Sequence, residues 1–391
     1  MATANLNPQI QHPLSKAPAY QLLLWFFSLW PIYTTVNTKT MDKETIGKRI
    51  KSARLLRGLT MDELIARMTH KVSKITISRY ERGAMTPRLE VLDDLAKALK
   101  LELAYFLKPH TFEVKDVKYR TKGELGAKAL DSVKERAVDL MERYLEAEKL
   151  LRLAGDFNHP LPDYTISKAE EAEQAAYDWL KAWNLGYRGL TNIYGILEAH
   201  HIKVAELDEV DEAFDGLAIM INGSIPIIVI NKAMTIERRR YTALHELAHL
   251  LLKFDQKMSN DEQEKACHRF AGSALMPRSL LYELLDKERD AIFLKELIEI
   301  KELYGISIQA LMYRAEEYGI ISYRRHLNFK SWIADNQKEK NLGNYTGKEE
   351  TDRFELLVLK ALDGEKITLA KAAELLRAPM QELKEKIKES F

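Results

Sequence analysis

The stretch from Tyr241 to Lys253 constrains the fold of this chain more than any other. It reads YTALHELAHLLLK and contains His245, Glu246 and His249 in the order H-E-x-x-H. Because residues four apart lie on the same face of an α-helix, both imidazoles can point at one metal ion. Glu246 is then placed to polarise a metal-bound water rather than to bind the metal. The stretch therefore predicts a helix that carries a metal site.

A second helical pattern, from Asp261 to Met276, supplies a third ligand. A catalytic zinc site uses about three protein ligands and a water. We predict Glu264 as the third ligand, with His268 one turn further on and hydrogen-bonded to one of the ligands. Glu262 is a weaker candidate because it lies on a different face. A solvated helix start is the alternative, since acidic residues favour a helix N-terminus.

The two patterns occur in the same order as two sequence motifs of a known family and resemble them. HELAH is preceded by ERRRYTAL and followed by ExxCHRFAGSALMP, which resembles the RFTLAHELGH and ExxANxFAxxLLMP segments of the ImmA/IrrE metallopeptidases. The resemblance covers about Ala169 to Tyr323 and implies a zincin-like body that binds Zn²⁺. Ala248 replaces the usual Gly, and Cys267 with His268 replaces Ala-Asn. Cys267, the single cysteine, fits a reducing cytosol. We expect it to be a small core residue, and a metal ligand is the alternative.

The resemblance also implies a reaction and a class of substrate. Glu246 would take a proton from a metal-activated water that attacks a peptide carbonyl, and the substrate would be a repressor or partner protein. Cleavage of the chain itself, around Phe112 to Asp156, is a further route. Manganese is an alternative to zinc, because two His and a Glu accept either metal. The candidates for stabilising the oxyanion are Tyr304, Tyr313, Arg314 and Tyr318.

Three short β runs precede the metal helix. They span Ile202 to Leu207, Gly216 to Ile221 and Ile225 to Ile230, and Asn222-Gly223 marks a hairpin turn between the last two. We predict that they form a small antiparallel sheet. An edge strand of such a sheet can hold a peptide substrate in an extended conformation through main-chain hydrogen bonds.

A helix-turn-helix is predicted between Ile46 and Leu107. Thr60 begins one helix in a capping box with Glu63, and Ser73 begins the next, KITISRYERG. Two helices joined by a short turn, with basic residues facing outward on the second, form a DNA-binding motif. The segment VSKITISRYERGAMTP resembles the Cro/cI-type (XRE) domains, and this resemblance makes Ser73 to Arg82 the recognition helix.

That resemblance also assigns the DNA contacts. Base edges and phosphates would be met by Ser73, Lys74, Thr76, Arg79 and Arg82. Ile75 stands where a polar reader is common, and it would either touch a thymine methyl or belong to the core. From Met41 to Lys108 there are 15 Lys and Arg against 9 Asp and Glu, a local charge of +6 in a chain of net charge +1. Domains of this type bind a double-stranded operator as dimers, so we expect a homodimer.

The remaining segments are less constrained. Residues 1–40 contain an apolar run, Tyr20 to Val36, which Pro31 interrupts. We therefore expect a disordered extension, and a short membrane anchor is the alternative. Residues 111–160 are predicted as a helical linker that spaces or dimerises the domains or packs on a neighbour. Residues 336–350 are polar and predict a second linker, and residues 345–391 predict a small helical module or a helical tail.

The sequence thus predicts a mostly α chain with a small antiparallel sheet (α+β). A helix-turn-helix head at residues 41–110 would precede a zincin-like metallopeptidase body at residues 161–330. The predicted function is a cytoplasmic DNA-binding regulator whose zinc endopeptidase cleaves a repressor or partner in a stress, mobile-element or toxin–antitoxin circuit. The alternative is an antitoxin-like repressor whose peptidase fold is non-catalytic and senses a ligand or binds a partner.

Overall fold

The computed structural model describes residues 42–109, 114–121, 126–153, 155–335 and 339–389. Contacts divide the chain after residue 111 into two units, and each unit has its own core. Residues 1–40, including the apolar run, lie outside the described residues. None of the described helices combines the length and the apolar character that crossing a membrane requires. The predicted class is confirmed, because the described chain is mostly helical with small sheets.

The described residues of the first unit form five helices. They are α1 (Lys43–Leu56), α2 (Met61–Arg67), α3 (Lys74–Glu81), α4 (Leu89–Leu99) and α5 (Leu103–Phe106). The capping box at the start of α2 is confirmed: Thr60 Oγ1 accepts a bond from the Glu63 amide at 3.1 Å, and the Glu63 carboxylate accepts one from the Thr60 amide at 2.6 Å. Ile50, Leu64 and Ile77 are fully buried between these helices.

Helices α1 and α3 cross at short range. A side chain at Gly47 on α1 would collide with the carbonyl oxygen of Tyr80 on α3, so only glycine fits there. Arg54 on α1 donates hydrogen bonds of 2.6 and 2.9 Å to Glu81 on α3, and both side chains are buried. A buried, bidentate Arg–carboxylate pair is geometrically specific. The crossing therefore determines how α3 is held against the first helix.

The second unit is built on a four-stranded sheet. Its strands are β1 (Val114–Thr121), β3 (Lys203–Leu207), β4 (Phe214–Ile221) and β5 (Ile225–Asn231), in the order β1-β4-β5-β3. A separate parallel pair joins β2 (Thr165–Ile166) to β6 (Lys253–Phe254). Strands β4 and β5 form the predicted hairpin, with Asn222 and Gly223 at φ values of 51° and 73°.

The predicted antiparallel arrangement is wrong for β3, which pairs with β5 in parallel. Strand β1 was also not predicted, because it falls in the stretch taken for a helical linker. Alternating apolar residues indicate a strand, but they specify neither its neighbour nor its direction. The result is a mixed sheet in which β1 and β3 form the two edges.

Helices cover both faces of the four-stranded sheet. On one face, Ile228 and Ile230 of β5 belong to the core of the helices that follow residue 160. These are α7 (Glu171–Ala182), α8 (Ile193–Ala199), α9 (Ile236–Leu251), α10 (Asn260–Leu275), α11 (Arg278–Leu285), α12 (Leu294–Tyr304), α13 (Ile308–Glu317) and α14 (Tyr323–Asp335).

On the opposite face, Ile227 and Val229 of β5 pack against α6 (Ala127–Leu151) and three C-terminal helices. The C-terminal helices are α15 (Arg353–Asp363), α16 (Leu369–Leu376) and α17 (Met380–Glu389). Helix α6 buries Val133, Ala137 and Met141 in this core. Of the three alternatives for this segment, the described residues therefore show packing on a neighbour.

Candidate metal centre and nucleic-acid interface

Helix α9 carries the H-E-x-x-H residues on its buried side. Thr235 caps the helix by accepting a hydrogen bond from the Arg238 amide at 3.4 Å. The side chains of His245 and Glu246 are fully buried, and His249 is 8% exposed. The motif therefore lies inside the second unit, where the position of each donor is determined by packing.

Helix α10 begins with a capping box. Glu262 accepts hydrogen bonds of 2.9 Å from both the amide and the hydroxyl of Ser259, whose Oγ accepts one of 3.3 Å from the Glu262 amide. Because these bonds favour the ionised carboxylate, led by the one from the Ser259 amide, the pKa of Glu262 lies below its usual value. Glu262 therefore closes the start of the helix, which leaves Glu264 as the carboxylate that faces α9.

Glu264 joins α10 to the motif helix. Its Oε2 lies 3.2 Å from Nε2 of His245, and its Oε1 lies 3.2 Å from Nε2 of His249. Burial raises the pKa of Glu264, but the contacts with both imidazoles outweigh burial and hold the pKa below its usual range. Two imidazole nitrogens and a carboxylate are the donor set of one class of catalytic zinc site. The structure thus brings the three predicted ligands together, and their chemistry fits a divalent metal ion.

His268 lies beside the first histidine of the motif. Its ring centre is 4.6 Å from that of His245, and the hydroxyl of Tyr241 lies 3.3 Å from its Nδ1. The same hydroxyl donates to the His268 carbonyl oxygen at 2.9 Å. His245, Glu264 and His268 each offer a ligand atom within 4.8 Å of the others. His268 therefore lies beside the predicted ligands, and its hydrogen bond to one of them stays a prediction.

Cys267 touches the second histidine. Its Sγ lies 3.4 Å from Nδ1 of His249, and its side chain is fully buried. It belongs to the core of this face of the sheet, as expected of a small core residue. Its contact with His249 was not expected from the sequence, because the fold sets which residue of α10 meets which residue of α9.

Gly216 on β4 is a functional position that sequence reasoning missed. A Cβ added there would lie 2.6 Å from Cγ2 of Thr242 and 3.4 Å from Cγ of Glu246. The absence of a side chain lets α9 lie directly on β4 at the level of Thr242, four residues before Glu246. A glycine inside a strand pattern signals such a close approach, and this signal was available in the sequence.

Arg240 anchors the first half of α9. Its guanidinium is fully buried, and it donates to the carbonyl oxygens of Leu190 at 2.7 Å and Thr191 at 2.6 Å and to the carboxylate of Glu349. Burial raises the pKa of Glu349 to about 7 against the opposing effect of Arg240. The ring of Tyr345 covers the guanidinium at 4.2 Å. Arg240 therefore connects the motif helix to distant parts of the chain.

The contacts of Arg240 bear on the last part of the linker predicted at residues 336–350, of which residues 336–338 lie outside the described residues. Glu349 is only 3% exposed, and its Oε1 accepts a hydrogen bond of 2.7 Å from the Tyr194 amide. The Tyr345 amide donates to Glu237 at 2.8 Å. Residues 345–350 are therefore attached to the peptidase-like core and do not form a free linker. Polar composition was misleading here because the charges of Glu349 and Glu237 have buried partners.

The candidates for oxyanion stabilisation take part in other contacts. Arg314 pairs with Glu317 at 2.6 Å, and the ring of Tyr318 lies 4.5 Å from the guanidinium groups of both Arg278 and Arg314. Tyr313 is 56% exposed, and Tyr304 packs against Gly189. In the described part of the chain these contacts single out no oxyanion donor.

In the first unit, α3 presents the predicted DNA-binding residues. Ser73 Oγ accepts a hydrogen bond from the Thr76 amide at 3.1 Å and lies 2.9 Å from the Thr76 hydroxyl, so Ser73 caps the helix. Lys74 pairs with Asp62 at 2.6 Å, and both side chains are more than half exposed. An exposed pair of this kind contributes little to stability and can exchange for a phosphate or base.

The rest of α3 separates a core face from a solvent face. Arg79 is exposed, and Arg82 donates to the Ser78 carbonyl oxygen at 3.2 Å. Ile75 is 66% exposed whereas Ile77 is fully buried, so Ile75 does not belong to the core. Its exposure removes the core alternative for Ile75, and contact with a thymine methyl stays a prediction.

Two family profiles match the chain. The IrrE N-terminal-like domain, of the M78 peptidases, matches residues 197–316 and so spans β3, β4, β5 and both helices of the metal centre. The helix-turn-helix profile matches residues 50–106. No curated protein matches the sequence. Helix α6, strand β1 and the C-terminal helices lie outside both matches.

Proposed function

The chain carries an XRE-type helix-turn-helix domain and an IrrE N-terminal-like domain of a metallopeptidase family, and from this premise we propose that it is a DNA-binding regulator with a zinc-dependent endopeptidase. The observation that carries the peptidase half is the position of Glu264, 3.2 Å from Nε2 of both His245 and His249. A helix-turn-helix domain implies DNA binding.

His245, His249 and Glu264 would hold the metal, and His268 would orient His245 from beside it. When bound, zinc supplies Lewis acidity that polarises the scissile carbonyl and lowers the pKa of water to about 7. Glu246, one residue from the first ligand, would accept a proton from the attacking water and pass it to the leaving nitrogen. Burial of Glu246 keeps bulk water from competing for that proton.

The proposed substrate class rests on the resemblance to the ImmA/IrrE metallopeptidases, and the presence of a DNA-binding domain in the same chain supports it. A peptidase attached to a DNA-binding head acts where transcription is controlled, so its target would be a repressor or partner protein in a stress, mobile-element or toxin–antitoxin circuit. The head would bind a double-stranded operator as a homodimer through Lys74, Thr76 and Arg79, with Arg82 on phosphate. A DNA partner and a single cysteine, which cannot form a disulfide within the chain, fit the cytoplasm.

The decisive experiment measures the metal content of the full chain by mass spectrometry. We expect about one zinc per chain in the wild type and none in His245→Ala or Glu264→Ala. Glu262→Ala is the matched control, because Glu262 caps the same helix and should leave the metal in place. A well-folded wild type that takes up no zinc or manganese would overturn the peptidase and favour a regulator that uses this fold for sensing or partner binding.

A further inference from the structure

Strand β4 forms the wall of the metal centre on the sheet side. Its residue Gly216 lies closer to Thr242 of α9 than a side chain would allow, and a Cβ added there would be in van der Waals contact with Glu246 at 3.4 Å. One edge of β4 pairs with β5. The other edge of β4 is therefore the edge at which an extended peptide could add a strand beside Gly216, because strand addition to a sheet edge is a common mode of peptide binding.

That edge of β4 is occupied by β1 of the same chain. Strand β1 runs antiparallel to β4, with Lys118 opposite Ala218, Tyr119 opposite Leu217 and Arg120 opposite Gly216. Neighbouring strands lie about 4.8 Å apart. The backbone of Arg120 is thus one strand spacing from the residue against which Glu246 packs.

The pairing of β1 with β4 is less regular than the pairing among β3, β4 and β5. Its register shifts twice within eight residues, between Lys115 and Lys118 and between Arg120 and Thr121. The β4–β5 and β3–β5 ladders run without a shift. Strand β1 also lies outside both family matches and directly follows the boundary between the two units. These features are the ones expected of a segment that docks on the sheet as a substrate would.

We propose that β1 is an intramolecular substrate, and that the metal centre hydrolyses a peptide bond of its own chain between Lys118 and Thr121. In this reaction the carbon–nitrogen bond breaks, water supplies the oxygen of the new carboxylate, and the nitrogen takes the proton from Glu246 to become an amino terminus. No oxidant or further reactant is needed. The cut separates the DNA-binding unit from the peptidase unit, so DNA binding and proteolysis are uncoupled by a single event. The inference rests on the proposed peptidase function.

The test is an incubation of the full chain with zinc, followed by intact-mass spectrometry. We expect two fragments whose junction lies between Lys118 and Thr121 in the wild type. Glu246→Gln should stay intact while it binds zinc. Glu262→Ala, the helix-capping control, should be cut like the wild type. Hydrogen exchange of Glu246→Gln should show protected amides in β1, which reports the docking of the strand independently of catalysis.

Two further outcomes distinguish cleavage within one chain from cleavage between chains, and distinguish this inference from the proposed function. When wild type is mixed with Glu246→Gln that carries a mass tag, the tagged chain should stay intact, because β1 is docked on its own sheet; a cut in the tagged chain would overturn an intramolecular substrate. Wild type that binds zinc yet stays intact overturns this inference and leaves the proposed function standing. Wild type that binds no metal overturns the proposed function first.

Discussion

Helix α3 of the first unit and helix α9 of the second present their functional residues in opposite ways. On α3, Lys74, Ile75 and Arg79 are exposed, and the core uses the other face through Ile77. On α9, His245 and Glu246 are as deeply buried as the leucines beside them. The predicted DNA-binding residues lie on the helix face that the core does not use, whereas the predicted metal ligands lie within the core.

Because one set of residues is exposed and the other is buried, the two sites depend on different contacts within the chain. The exposed side of α3, which is the predicted DNA contact surface, depends on how the helix is held against α1. Gly47, Arg54 and Glu81 hold it there within 35 residues of chain. The donors on α9 depend on α10 for Glu264 and on Glu349 for the anchoring of Arg240. Local packing therefore supports one site, and contacts between distant segments support the other.

The largest loss of stability is expected from Arg240→Met. Removing one partner of a buried ion pair destabilises a protein by about 3–5 kcal/mol, because the other charge stays buried without compensation. The free energy of unfolding should therefore fall by that amount in the second unit. Denaturant titration followed by the fluorescence of Trp179 and Trp183, which are buried there, measures it.

The matched control is Arg240→Met combined with Glu349→Leu. Removing both charges should recover part of the lost stability, because no uncompensated carboxylate remains. DNA binding should be unchanged in both variants, since the first unit has its own core. An unchanged unfolding midpoint in Arg240→Met would mean that the distant contacts do not hold α9.

A pair of substitutions on α3 tests the other half of the comparison. Ile77→Ala removes a fully buried side chain and should cost about 2–5 kcal/mol, with loss of DNA binding. Ile75→Ala, two residues away and exposed, should change stability by less than about 0.5 kcal/mol. Hydrogen exchange of residues 43–106 measures the first effect. Selection of binding sites from a random DNA pool measures the second, and an unchanged thymine preference in Ile75→Ala would contradict the assigned contact.

The smallest effect is expected on zinc affinity, from substitutions of His268 and Tyr241 beside the predicted ligands. His268→Ala should lower zinc affinity about 10–100-fold, as removal of a group that orients a ligand does, without abolishing binding. Tyr241→Phe, which removes the hydroxyl that contacts His268, should act in the same direction and more weakly. Competition with a chromophoric chelator measures both affinities. Equal affinity in all three proteins would show that His268 is only a packing neighbour.

The helices and their caps were readable from the sequence, because caps and 3.6-residue periodicity are local. Thr60, Ser73 and Asn222-Gly223 act as predicted. The sequence did not predict three features: the strand that pairs with β3, the existence of β1, and the attachment of residues 345–350. Each depends on which distant surface a segment covers, and apolar spacing and charge carry no information about that.

For the candidate site, the sequence by itself determined which residues bear metal-binding chemistry and that His245 and His249 share a helical face, since both follow from residue type and helix geometry. Only the tertiary structure decided that Glu264 and not Glu262 meets them, that Cys267 and His268 contact one imidazole each, and that β1 lies along β4. The physical reason is that these contacts join segments whose approach is set by the packing of both faces of the sheet.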